Sequence, residues 1–147
     1  MWVIKFEDRL KSWVDLRESI NNCQPNQLLS QIAMWWSHAP LINNAIHWQD
    51  INNWPNPWDL LANNRFCDLA LALGMSYTIL MLDDLRLNIE LAQVTNDQGT
   101  SFNVVLINDG EYILNLIPRI VVNSQQEKFK IMNSCSSKQL RKLMDTA

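Results

Sequence analysis

Apolar residues recur at helical spacing through the first third of the chain. Trp2, Phe6, Leu10, Trp13 and Leu16 place an amphipathic helix over residues 3–20. After an Asn-rich turn, Pro25 opens a second helix whose apolar face is Leu28, Leu29, Ile32, Trp35 and Trp36, and Pro40 ends it. Residues 41–53 have room for one more helical turn. Trp54-Pro55-Asn56-Pro57-Trp58 reads as irregular, because each proline biases the residue before it toward an extended conformation. Asp59 then caps a short helix that runs to Asn63. A third long helix spans residues 65–83, nearly all apolar from 69 to 82, and closes at Asp83-Asp84.

Beyond residue 84 the pattern changes. Segments 85–94, 102–107, 111–116 and 119–122 are rich in Val, Ile and Leu and are separated by turn residues, so they read as strands. Asn108-Asp109-Gly110 marks a hairpin. A two-residue loop there sets Asn103 and Asn115 on opposite faces. A three-residue loop with Gly110 left-handed pairs them, and gathers Phe102, Val104, Leu106, Tyr112, Leu114 and Leu116 on one apolar face. It leaves Asn103, Val105, Ile107, Glu111, Ile113 and Asn115 on the other. The three-residue loop segregates the residues better and is the expected register. Residues 136–147, with Leu140, Leu143 and Met144 on one face, form a C-terminal helix capped by Ser134 or Ser136. The expected fold is α+β, with N-terminal helices and a central Cys-bearing helix packed on a three- to four-stranded antiparallel sheet. Residues 1–147 are expected to form a single domain, with a Trp- and Asn-rich helical part (1–60) followed by the central helix, sheet and last helix (61–147).

Composition narrows the function. The 147 residues suffice for one sizeable core, and a net charge of −3 with 18% charged residues leaves no footprint for nucleic acid or an anionic membrane. The apolar run 69–82 falls short of the ~20 residues of a membrane span. Asn doublets (21–22, 43–44, 52–53, 63–64) stand where charges are usual. Such a surface suits a subunit buried in an assembly, and equally suits an AT-rich genome. Cys23, Cys67 and Cys135 are widely spaced, so no metal is expected, and three reduced thiols are a simpler reading than one disulfide with a spare thiol. The opening Met1-Trp2-Val3-Ile4 runs straight into Lys5, Glu7 and Asp8 and carries no signal-peptide pattern. With three glycines there is no phosphate-binding loop, and no cofactor is expected.

The candidate chemistry is a cysteine opening a helix. Cys67 lies in Arg65-Phe66-Cys67-Asp68-Leu69-Ala70, followed by the small residues Ala70, Ala72 and Gly74 and then by strands. This order resembles the transglutaminase-like branch of the papain-like fold, over residues 60–122. The resemblance implies a histidine on one strand and an aspartate on the next. Asn103-Val104-Val105-Leu106-Ile107 looks like the first, and Asp109-Gly110-Glu111-Tyr112-Ile113-Leu114-Asn115 like the second. Asn103 is no base, however, and neither deprotonates a thiol nor protonates a leaving group. Asp68 next to the thiol also works against a second negative charge there. The expectation is a degenerate, non-catalytic scaffold in which Cys67 packs as a small hydrophobe. Permuted members of the superclass place histidine before cysteine. The alternative is therefore a cysteine hydrolase or acyltransferase with Cys67 as nucleophile and His47 or His38 as base. The bland reading of His38 is a helix-end surface residue, and of His47 a stacked or buried ring.

Trp48, Trp54 and Trp58 are the candidate binding residues. Their rings either close the core or form an aromatic platform for a partner chain or a saccharide, held rigid by the prolines. Trp13 and Trp35 read as core. The Trp-Pro-Asn-Pro-Trp-Asp-Leu-Leu run, and Cys-Asp-Leu-Ala-Leu-Ala-Leu-Gly-Met leading on to Tyr77-Thr78, also resemble small virion proteins of tailed bacteriophages. That resemblance implies a structural or adaptor subunit of a tail, neck or baseplate, made in the host cytoplasm and located in the virion. Its partners would be other protein subunits, a homo-oligomeric ring among the arrangements, with no nucleic acid and no membrane.

Overall fold

Proline and asparagine punctuate the helices. The computed structural model describes residues 2–123 and 128–145. Helix α1 (Phe6–Ile20) ends at Asn21 and a left-handed Asn22, and α2 (Pro25–Trp36) starts with its proline in the first turn, where a missing N–H costs nothing. A 3-10 turn covers Trp48–Asn53. Helix α3 (Pro57–Asn63) begins earlier than the Pro-rich sequence suggested, taking in Pro57 and Trp58. Its cap is Asn56, whose side chain accepts from the Asp59 amide at 2.8 Å, so Asp59 sits in the first turn instead of capping it. A proline favours the first helical position, which moves the capping role to the residue before it. Helix α4 (Asp68–Met81) follows, with Cys67 at its N-cap.

Helix α4 is apolar all round because it is enclosed all round: Leu69 through Leu80 are buried. Two features lock it in place. Gly74 lies flat against the Trp36 indole, so that a Cβ there would stand 2.5 Å from the ring. One turn on, the Thr78 hydroxyl accepts from the indole N–H groups of Trp13 (2.9 Å) and Trp36 (3.0 Å), and donates to the Gly74 carbonyl at 2.8 Å. Trp2, Trp35 and Phe66 complete an aromatic cluster around Trp36 with ring centroids 4.9–5.9 Å from it. Arg9 ties α1 to α3 from a buried position. Its Nε and Nη2 donate to the Leu61 carbonyl at 3.1 and 2.8 Å, and its Nη1 donates to the carbonyls of Val3 and Ile4.

The α+β class and antiparallel sheet are as expected, with one strand more. The strands β1 (Ile89–Thr95), β2 (Ser101–Ile107), β3 (Tyr112–Ile117), β4 (Ile120–Asn123) and β5 (Lys130–Ser136) lie in the order β4-β3-β2-β1-β5. The β1 strand starts later than expected, since Asp84 and Arg86 form a local turn. Arg86 donates to the Asp84 carboxylate from Nη2 at 2.7 Å and from Nε at 3.0 Å, and holds that carboxyl below its ordinary range. The β2–β3 register pairs Ile107 with Tyr112 and Val105 with Leu114, which is the two-residue-loop register and not the expected three-residue one. Asn108, Asp109 and Gly110 are all left-handed in a turn closed by the Glu111 amide on the Asn108 carbonyl, a conformation that loop scoring by segregation ignores.

The inner face of the sheet rises in rungs beneath α4. Ile89 pairs with Ile107 on one rung, and Cys135, Leu91, Val105 and Leu114 make the next. The outer face carries a separate apolar cluster around Ala92, Val94, Val104 and Ile113. Helix α5 (Ser137–Met144) follows β5 directly, and Ser136 with Gln139 forms a reciprocal capping box. Leu140 and Leu143 are buried as expected; the last two positions of the expected helix, 146–147, lie outside the described residues.

Thr78→Val keeps the shape of the side chain but leaves two buried indole donors without an acceptor, and is expected to cost about 2–4 kcal/mol in urea unfolding. Gly74→Ala drives a methyl into Trp36 and is expected to cost about 1–3 kcal/mol in the same assay.

Candidate functional site

Cys67 is positioned from both sides. Before it, Phe66 is fully buried and makes a parallel bridge to Leu41, its carbonyl accepting from the Ile42 amide at 2.7 Å. After it, α4 begins. Cys67 itself is 7% exposed, and its thiol donates to the Ile46 carbonyl at 3.9 Å. The segment that bridges to Phe66 therefore folds back over the start of α4 and roofs a cleft of about 340 Å³. Asn43, Asn44, His47, Trp48 and Gln49 line it from the roof.

The sheet supplies the floor. On the inner face, one rung beyond Cys135, Leu91 and Val105, stand Asn133 of β5, Gln93 of β1 and Asn103 of β2, directly opposite one another across the strands. All three line the cleft with Cys67 and Asp68. Asn133 Nδ2 donates to Gln93 Oε1 at 2.7 Å. Asn103 is held at both ends of its amide: Oδ1 accepts from the Trp48 indole at 2.9 Å, and Nδ2 donates to Asp68 Oδ2 at 3.2 Å. The inner face thus turns from apolar to amide where α4 stops covering it.

Asn115 joins this network by a backbone device. Regular alternation after Leu114 would turn it to the outer face. Its φ of 68° breaks the β3 ladder and swings it inward, where Nδ2 donates to Asp68 Oδ1 (3.0 Å), to the Asp68 carbonyl (3.1 Å) and to the Asn103 carbonyl (2.9 Å). Asn103 and Asn115 are therefore brought together, as the resemblance implied, but by a left-handed residue and not by the expected register.

The other candidates separate. His47 lines the same cleft as Cys67, yet among the described residues its ring makes no hydrogen bond. His38 is exposed at the end of α2 and lines no part of the cleft. Trp48 is half-buried in the cleft wall; Trp54 is core, 4% exposed, and donates to the His47 carbonyl at 2.7 Å; Trp58 is 45% exposed. Cys23 is half-buried, whereas Cys135 is enclosed and its thiol is pushed up to about 11 by burial. The residues that sequence reasoning missed are Gln93 and Asn133. Gln93 was legible as the polar end of the alternation Ile89, Leu91, Gln93, but β5 was not recognised. Among the described residues no group of His, Cys, Asp and Glu is arranged to hold a metal ion, and no helix is long and apolar enough to cross a membrane.

A helix-opening cysteine packed over an antiparallel sheet, with paired positions on two adjacent strands facing it, defines the transglutaminase-like fold. Among solved structures the chain is similar to LapG of Legionella pneumophila. The calcium-bound form aligns with a TM-score of 0.71 at 12% identity, over 92% of this chain and 78% of that one. A second LapG structure gives 0.65 and an EGTA-treated one 0.66, both at 13% identity over 97% of this chain and 90% of that one. At these identities the likeness is one of fold. No family model and no curated protein matches the sequence.

Asn115→Ala is expected to cost about 2–3 kcal/mol in chemical unfolding, from backbone strain in the left-handed region and lost hydrogen bonds. Asn115→Gly relieves the strain alone and should recover part of that loss. A second expectation concerns pH. Because the Cys135 thiol is raised from 9.0 to about 11 in the folded protein, its contribution is complete below pH 9 and is lost as pH rises toward 11. Cys135→Ala should flatten the alkaline limb of a stability–pH curve over that interval.

Proposed function

We propose that the chain is a degenerate relative of the transglutaminase-like thiol hydrolases, keeping the cleft and the cysteine while serving as a non-catalytic binding or adaptor subunit. The observation that carries this reading is Asn103. It stands on the strand facing the start of α4, and both ends of its amide are engaged, by Trp48 and by Asp68. An amide neither takes up nor gives up a proton at neutral pH, so no group at that position activates Cys67 or protonates a leaving group. Asn115, beside it, orients Asp68 where an active site would orient an imidazole. The nearly enclosed Cys67 thiol, turned to the Ile46 carbonyl, supports the same conclusion.

A second reading has its own support. LapG is a cysteine protease of this fold, and His47 shares the cleft with Cys67. A thiol hydrolase or acyltransferase would use Cys67 as nucleophile and His47 as base, once a shift of the roof segment brought the ring to the sulfur. The fold likeness favours this thiol-hydrolase lineage over a role peculiar to virions. Assignment to a bacteriophage tail, neck or baseplate, with other subunits as partners, rests on the sequence resemblance alone.

Alkylation of the native protein by iodoacetamide between pH 5 and 9, with Cys67→Ala as the blank, separates the two. The non-catalytic reading expects slow labelling of Cys67 at pH 6 that accelerates when denaturant is added, and no change in His47→Ala. Fast labelling below pH 7 that is lost in His47→Ala would establish an activated thiol and the hydrolase reading.

A further inference from the structure

The floor of the cleft has more hydrogen-bonding capacity than the fold uses. Among the described residues, Gln93 Nε2, Asn133 Oδ1 and the side-chain amides of Asn43, Asn44 and Gln49 make no hydrogen bond, yet all five residues line the cleft. We propose that this amide-lined cleft is a binding site for a neutral, N-acetylated saccharide.

Charge excludes the commoner ligands. No Lys or Arg lines the cleft, so nothing balances a phosphate or a carboxylate. The one formally charged lining group, Asp68, already accepts from the Asn103 amide (3.1 Å), from Asn103 Nδ2 (3.2 Å) and from Asn115 Nδ2 (3.0 Å). Apolar ligands find little wall, since only Ile46, Trp48, Cys67 and Leu69 among the twelve lining residues are apolar. An extended polypeptide would add to a sheet through free strand backbone. Here Gln93 and Asn103 stand on β1 and β2, each already paired on both sides and presenting side chains only, and the free strand edge lies on β5, beyond Asn133.

A saccharide fits what remains. Each sugar hydroxyl donates and accepts, and each Asn or Gln amide presents a donor and an acceptor side by side. An acetamido group pairs with such an amide at two points. The cleft of about 340 Å³ is at the small end for a ligand site, suited to a short oligosaccharide. The inference rests on the non-hydrolytic reading, but the two fail separately: alkylation reports on Cys67, and saccharide titration reports on the amide row.

The test is calorimetric titration of the full chain with N,N′,N″-triacetylchitotriose, and with maltotriose as an N-acetyl-free comparison. Circular dichroism verifies the fold of each variant. Saturable binding of the acetylated sugar is expected, weakened at least tenfold in Gln93→Leu and in Asn133→Ala and unchanged in the remote surface variant Leu85→Ser. Absence of saturation up to about 10 mM, tenfold weaker than a millimolar dissociation constant, would overturn the proposal. So would binding undiminished in both amide variants, equal affinity for maltotriose, or saturable binding of an uncharged Asn- and Gln-bearing peptide in place of the sugar.

Discussion

Two buried indoles meet one hydroxyl inside helix α4, and the remaining packing is arranged around that junction. Thr78 accepts from Trp13 of α1 and Trp36 of α2 and returns its own proton to the helix at Gly74. A buried indole N–H without an acceptor is costly, so α1 and α2 are tied to a single rotation of α4 about its axis. Gly74 makes the approach possible by leaving room for the Trp36 ring. The rotation of α4 in turn fixes where its first residue emerges, and that residue is preceded by Cys67.

From this the cleft follows without any further design. An apolar helix covers the apolar rungs of the inner face, and the chain turns polar where the helix ends. The amides of Gln93, Asn103 and Asn133 stand at that boundary with Cys67, Asp68 and the returning segment 43–49. Asp68 occupies the first turn of α4, where free backbone N–H groups favour a negative charge, and the asparagines satisfy its outer oxygens. Around position 103 the amides of Asn103 and Asn115, the Trp48 indole and the Asp68 carboxylate are joined in one hydrogen-bonded network.

The helices were legible because proline and asparagine fall at their ends and their apolar faces repeat at helical spacing. The sheet was legible in part. The β5 strand was missed because Lys130 to Ser134 are all exposed, so no alternation marks it. The β2–β3 register was misjudged because segregation of faces presumes unbroken alternation, and the left-handed Asn115 violates it. The meeting of Asn103 with Asn115 was anticipated, although for the wrong structural reason. That His47 and not His38 shares the cleft with Cys67 had no sequence signal, since it depends on the bridge between Leu41 and Phe66.

The distribution of indoles also makes the molecule optically lopsided. All seven tryptophans precede residue 59, and Trp2, Trp13, Trp35 and Trp36 are close enough to exchange excitation. The strands themselves contain none. Among the described residues, only Trp48 hydrogen-bonds a strand side chain, at Asn103. Ultraviolet emission from this protein therefore reports almost wholly on its helical half. Loosening of the sheet breaks one indole hydrogen bond, that of the chromophore that stands in the wall of the cleft.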